Sequence, residues 1–102
     1  IQLTEVKNYP NPVFNQTTFS FVPSLQNEEL VIEIEIFNNQ GQLKRLLQTT
    51  FQPEETKVEL TWNGLDSAGK RLGNGIFIYR INVFSPNRQL KGSVSRKMLI
   101  MN

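Results

Sequence analysis

The sequence predicts an all-β fold of about seven antiparallel strands, and three observations carry that expectation. Apolar residues recur with a period of two. Turn-forming residues interrupt them roughly every ten positions. No stretch between those breakers keeps the i, i+3, i+4, i+7 apolar stripe of an amphipathic helix.

Leu3 to Tyr9 is expected to be the first strand, ended by Pro10 and Pro12, which fix φ and remove ladder donors. Phe19 and Phe21, alternating with Thr18 and Ser20, mark the second. Leu30, Ile32, Ile34 and Ile36 point one way while Glu33 and Glu35 point the other, the pattern of a half-buried strand. Asn38-Asn39-Gln40-Gly41 supplies a tight hairpin into a fourth strand from Leu43 to Phe51, with Gly41 free to take positive φ. Val58, Leu60 and Trp62 alternate with Lys57, Glu59 and Thr61 in a fifth. Asp66-Ser67-Ala68-Gly69 reads as a type I turn followed by glycine. From Ile76 to Phe84 both faces begin apolar, as in a central strand covered on two sides. Ser85-Pro86-Asn87 opens the last hairpin, and Val94 to Met101 closes the chain. Short strands separated in this way form one immunoglobulin-like β-sandwich over residues 1–102.

Composition narrows the function. With 102 residues, 38% of them apolar and 10% aromatic, the chain can build a single core. Its apolar runs are far shorter than the ~20 residues of a membrane-spanning helix. It starts at Ile1 with no charged stretch and apolar run ahead of a cleavage site, as expected of a piece excised from a longer protein. The net charge is +2, with most acidic residues before position 56 and most basic ones after it. Lys57, Lys70, Arg71, Arg80, Arg88, Lys91, Arg96 and Lys97 are scattered over strands and turns, so solvated strand faces explain them better than a phosphate-binding patch. Nucleic acid is not an expected partner.

Cysteine and histidine are both absent, which removes thiol and Ser–His nucleophiles and the common zinc sets. Glu33 and Glu35 share a strand face about 6.6 Å apart, close to the spacing of some paired catalytic carboxylates. The wet face of an amphipathic strand accounts for them without catalysis. Asp66, in Trp62-Asn63-Gly64-Leu65-Asp66-Ser67-Ala68-Gly69, suits a turn that accepts backbone N–H groups, and lacks the ligand spacing of a calcium loop. Trp62 shares its strand face with Leu60 and Val58, which favours core over a sugar-stacking platform. No glycine-rich loop precedes a helix that could cradle a phosphate. The expectation is a domain with no catalytic residues, cofactor or metal.

Four segments in order carry a resemblance. They are Asn8-Tyr9-Pro10-Asn11-Pro12; the hairpin Ile36 to Leu43 around Gly41; the loop from Trp62 through Asn63, Gly64, Asp66 and Gly69 to Gly75, leading into Ile76-Phe77-Ile78-Tyr79-Arg80; and the terminal Lys97-Met98-Leu99-Ile100. Over nearly the whole chain they resemble the C-terminal sorting domains of bacterial type IX secretion cargo. The fuller loop is most similar to the C-terminal domain of that system's sortase. It also resembles a wider set of Ig-like domains, including that of the flagellar hook-capping protein. Asn63 stands where the family more often has Asp, and Met101-Asn102 replaces the usual short basic or β-branched terminus.

The resemblance implies a folded signal that passes through the periplasm to the outer membrane and cell surface. The export machinery would read it and hand it to the shuttle barrel PorV. In ordinary cargo the sortase then cuts upstream of the domain; in the sortase itself the domain is retained and helps docking to PorV. Arg96, Lys97, Met98, Leu99, Ile100, Met101 and Asn102 are the expected recognition element, in a terminal strand suited to a sheet edge. Tyr9, Pro10, Asn11, Pro12, Gly41, Trp62, Asn63, Gly64, Asp66, Gly69, Gly75 and Tyr79 are expected to act through folding. The alternative is an accessory carbohydrate-binding or spacer sandwich of a secreted enzyme, which in its carbohydrate-binding form needs Trp62, Phe77 or Tyr79 turned outward.

Overall fold

Alternation becomes two facing sheets. The computed structural model describes residues 1–24 and 27–102, and among them it contains seven strands and no helix. They are β1 (Leu3–Tyr9), β2 (Thr17–Pro23), β3 (Leu30–Asn38), β4 (Leu43–Phe51), β5 (Val58–Trp62), β6 (Gly75–Phe84) and β7 (Leu90–Ile100). Every strand pairing is antiparallel: β1-β2-β5 in one sheet, β4-β3-β6-β7 in the other. In a seven-stranded constant-type immunoglobulin domain the fourth strand joins the fifth. Here it stays with the third, because the hairpin at Asn38 turns the chain straight back. Asn38 Oδ1 accepts the Gln40 and Gln42 amides at 3.0 and 2.9 Å, and Gly41 takes φ 83°.

The inward residues of both sheets form one core. Ile32, Ile34 and Ile36 from β3, with Ile81 and Val83 from β6, meet Phe19 and Phe21 from β2. Trp62 is only 1% exposed, and its Nε1 donates to the Leu65 carbonyl at 3.0 Å. Phe19 lies edge-on to Tyr79 at 4.8 Å between ring centres and 6.2 Å from Trp62. Phe77 and Tyr79 are also buried, so the three aromatics that a carbohydrate platform would turn outward are packing material.

The outer face of the larger sheet is polar where the sequence placed Glu33 and Glu35. Glu33 pairs with Arg88 and Glu35 with Arg80, each at 2.8 Å, and Asn82 also donates to Glu35 at 2.7 Å. These contacts absorb both carboxylates as cross-strand partners.

Three boundaries differ from the expected ones, and at the first β6 begins at Gly75, one residue before Ile76. β7 starts at Leu90, four positions before the expected Val94, because the preceding turn closes quickly: the Ser85 and Arg88 amides donate to the Gln89 and Ser85 carbonyls at 2.9 Å. β7 ends one residue before the expected Met101 because its partner β6 begins at Gly75, which pairs with Ile100; the Met101 amide points away from β6, to the Val13 carbonyl.

Phe19→Ala should destabilise the domain by about 3–5 kcal/mol, the usual cost of emptying such a site. Urea unfolding followed by Trp62 fluorescence measures it, and a loss below about 1 kcal/mol would contradict a shared aromatic core.

Candidate functional site

The last residues of the chain are held from two sides. β7 lies at the edge of the larger sheet, bonded to β6 along one side only. Successive side chains alternate between the faces. Val94, Met98 and Ile100 turn inward, and Met98 and Ile100 are buried. Arg96 shares that face opposite Tyr79 but remains exposed. Ser93, Ser95, Lys97 and Leu99 turn outward, and Leu99 is 37% exposed. Of the expected recognition residues, Met98 and Ile100 therefore belong to the core, while Arg96, Lys97, Leu99 and Met101 keep surface.

The first grip comes from the segment after β1. Val13 donates its amide to the Leu99 carbonyl at 2.7 Å and accepts the Met101 amide at 2.8 Å, a short parallel bridge from the loop between β1 and β2 to the end of β7. Asn11 Oδ1 accepts the Leu99 amide at 3.0 Å. The neighbouring Tyr9–Pro10 and Asn11–Pro12 bonds are cis, and Thr17 donates to the Pro10 carbonyl at 2.9 Å. Tyr9 itself is 76% exposed and takes no part in the core.

The second grip comes from the long loop between β5 and β6. Asp66 folds it: Oδ1 accepts the Ala68 and Lys70 amides, both at 2.9 Å. Those backbone bonds, Lys70 first, hold the Asp66 carboxyl below its ordinary range, and the nearby Lys44 and Lys70 charges add to the effect. Asn63 Oδ1 caps the Leu65 amide at 3.2 Å. Arg45 on β4 donates to the Leu65 carbonyl at 3.0 Å, joining the loop to the larger sheet. Gly64, at φ 80°, sits against the Asn15 carbonyl and the Arg71 guanidinium, where a side chain would collide. The loop ends beside the C-terminus. Asn74 Oδ1 accepts the Asn102 amide at 2.7 Å, and Asn102 donates its side-chain amide to the Leu72 carbonyl.

The motif segments, distant in sequence, thus gather at one pole of the sandwich. A cleft of about 410 Å³ there runs between Asn38 and Asn39 of the hairpin and the stretch Lys70 to Phe77. Three gripping residues carry no signal in the sequence: Val13, Leu72 and Asn74. Val13 stands beside Phe14 in a loop, Leu72 is a lone apolar residue in another, and Asn74 stands between two glycines, so no periodicity singles them out. Among the described residues no three His, Cys, Asp or Glu side chains gather to hold a metal. Nor do those residues form a helix long and apolar enough to cross a membrane.

Comparison with solved structures finds likeness over almost the whole chain. Dimeric latent PorU from Porphyromonas gingivalis matches 94% of it with a TM-score of 0.79 and 27% identity. A family 76 glycoside hydrolase from a bovine Bacteroides thetaiotaomicron strain matches 95% with a TM-score of 0.67 and 12% identity, a likeness of fold alone. The matched regions are 9% and 20% of those chains, so this chain spans a small part of either. No family model matches, and no curated protein does. The fold is PorU-related.

Two outcomes test this geometry. Asn11→Ala should cost about 1 kcal/mol and speed hydrogen exchange at the Leu99 amide, leaving the Phe77 amide unaffected. In the outer-face pair, the Arg80 hydrogen bond holds the Glu35 carboxyl below its ordinary 4.5 despite some desolvation. A depressed carboxyl stabilises the fold above its unfolded pKa, and that contribution disappears as pH falls through the folded value. Glu35→Gln should therefore be less stable than wild type at neutral pH, by at most about 1 kcal/mol because the pair is partly exposed. The gap should close in urea melts below pH 4.5.

Proposed function

We propose that this chain is a non-catalytic C-terminal sorting domain, read as a folded module by the type IX outer-membrane export machinery and docking to its shuttle protein PorV. The observation that carries this reading is the construction of the C-terminal pole. The final strand is part of a four-stranded sheet, and its last residues are held by two separate motif segments. A receptor for that pole would meet a shape that exists only when the sandwich is folded. The likeness to a segment of PorU supports the context. The parent protein is either the sortase, which retains the domain, or a cargo from which it is cut. On this reading the domain travels through the periplasm to the cell surface.

The buried Trp62, Phe77 and Tyr79 leave the carbohydrate-binding alternative without its aromatic row. They say nothing against a spacer, which export experiments distinguish.

A periplasmic reporter fused ahead of Ile1 should reach the surface of a bacterium with a type IX system, while the reporter alone stays inside. Deleting Leu99 to Asn102 should abolish that display, and surface protease accessibility measures it. Normal display after the deletion would refute the sorting role. Since Ile100 is a core residue, circular dichroism of the deleted chain must accompany the assay, with Leu99→Ser as a milder variant at a partly exposed position.

A further inference from the structure

The backbone edge of β7 is bonded at both ends and, among the described residues, has no backbone partner between them, where β1 of the smaller sheet passes alongside. At its start, the Ile1 nitrogen donates to the Lys91 carbonyl at 3.3 Å, and Ile1 lies so close to Gly92 that a Cβ there would collide with it. At its end, Asn11 and Val13 occupy the outward backbone groups of Leu99 and Met101. Backbone direction alternates along a strand, so the amides and carbonyls of Ser93, Ser95 and Lys97 point out on the same side as those of Leu99. Among the described residues only the Ser95 carbonyl has a partner there, the side chain of its neighbour Arg96 at 2.9 Å. Ser93, Ser95, Arg96 and Lys97 all keep solvent access, and the serines are small enough to leave the edge open.

The charge that β7 itself brings to this window is of one sign. β7 carries Lys91, Arg96 and Lys97 and no acidic residue. None of the three has a carboxylate partner among the described residues, whereas Arg80 and Arg88 are paired with glutamates. Two copies of this chain joined β7 to β7 would bring all these cations together with nothing to neutralise them, the usual way a lysine-bearing edge discourages self-pairing. An acidic strand would meet the opposite condition.

We infer that Ser93 to Lys97 is a β-addition site for an extended, acidic segment of a partner protein, which becomes a fifth strand of the larger sheet. Backbone bonds to Ser93, Ser95 and Lys97 fix its register, and its carboxylates face Arg96 on one side of the sheet and Lys97 on the other. The closed ends limit the segment to about five residues in contact. This deepens the docking reading by naming the partner's chemistry, and rests on that reading for the site's use in the cell.

The probe is a capped peptide of about seven residues alternating glutamate with threonine and valine, titrated at low salt into the isotope-labelled chain. Saturable amide shifts at Ser93, Ser95 and Lys97, with slowed exchange there, are expected. Ser95→Pro removes one outward N–H without breaking a bond to β6, and should weaken binding at least about tenfold. Lys97→Glu should do the same through charge, and remains informative if the proline variant fails to fold. A lysine-for-glutamate peptide should not bind. The inference is overturned by no saturable shift at millimolar peptide, by equal binding of the lysine peptide, by shifts confined to β4, or by self-association of the chain through Ser93–Lys97. If the peptide binds but export of the reporter fails even with the intact chain, the edge site stands and the sorting role falls. Normal export without peptide binding overturns the edge site and leaves the sorting role standing.

Discussion

The structure depends on the backbone bridge at Val13. A sandwich has two sheets whose own hydrogen bonds never cross the gap, so apolar contact alone sets how they align. Val13 breaks that separation. Its amide and carbonyl both bond the end of β7, while Thr17, a few residues on, begins β2 in the smaller sheet. The bridge is short and its side chain is buried at 1% exposure, so it combines a directional constraint with core packing. Without it the last strand would keep β6, its own inward residues and a few side-chain and terminal bonds, but no two-point backbone tie to the segment that leads into the smaller sheet.

That constraint explains how a domain with no disulfide can keep an ordered end. Chain termini usually fray because nothing beyond the last ladder bond retains them. Here Asn11, Val13, Leu72 and Asn74 all contact the terminal residues, and each belongs to a loop with its own anchorage. The Asp66 turn stiffens one loop by satisfying its amides, and the Thr17 hydroxyl ties the other through the Pro10 carbonyl. Residues that read as separate short motifs along the chain are, in three dimensions, the supports of a single surface.

Much of the architecture was legible in the sequence because strand faces follow from period two. Ile32, Ile34 and Ile36 against Glu33 and Glu35 could be assigned to inside and outside without knowing any neighbour. The same rule put Trp62 in the core, and the glycine at position 41 placed a hairpin that the structure contains. Neighbour relations were legible only where a hairpin joined the strands. Periodicity says which way a side chain points but not which strand lies beside it, so the hairpins could pair β3 with β4 and β6 with β7, while the pairing of β3 with β6 and of β2 with β5 had to come from the structure. The grips on Leu99, Met101 and Asn102 are longer-range still, made by loop atoms that follow no pattern. The terminal stretch could therefore be named as a unit, yet not divided into buried Met98 and Ile100 and exposed Arg96 and Lys97.

The course of β7 also sets the polarity of the whole body. Ile1 rests beside Gly92, whereas Asn102 meets Leu72 and Asn74 past Ile100, and those strand positions are roughly 26 Å apart at about 3.3 Å per residue. Anything joined ahead of Ile1 leaves from the pole opposite the carboxyl end. A fusion partner would start about one strand length away from the far tip, which spares that tip the crowding a partner joined beside it would cause.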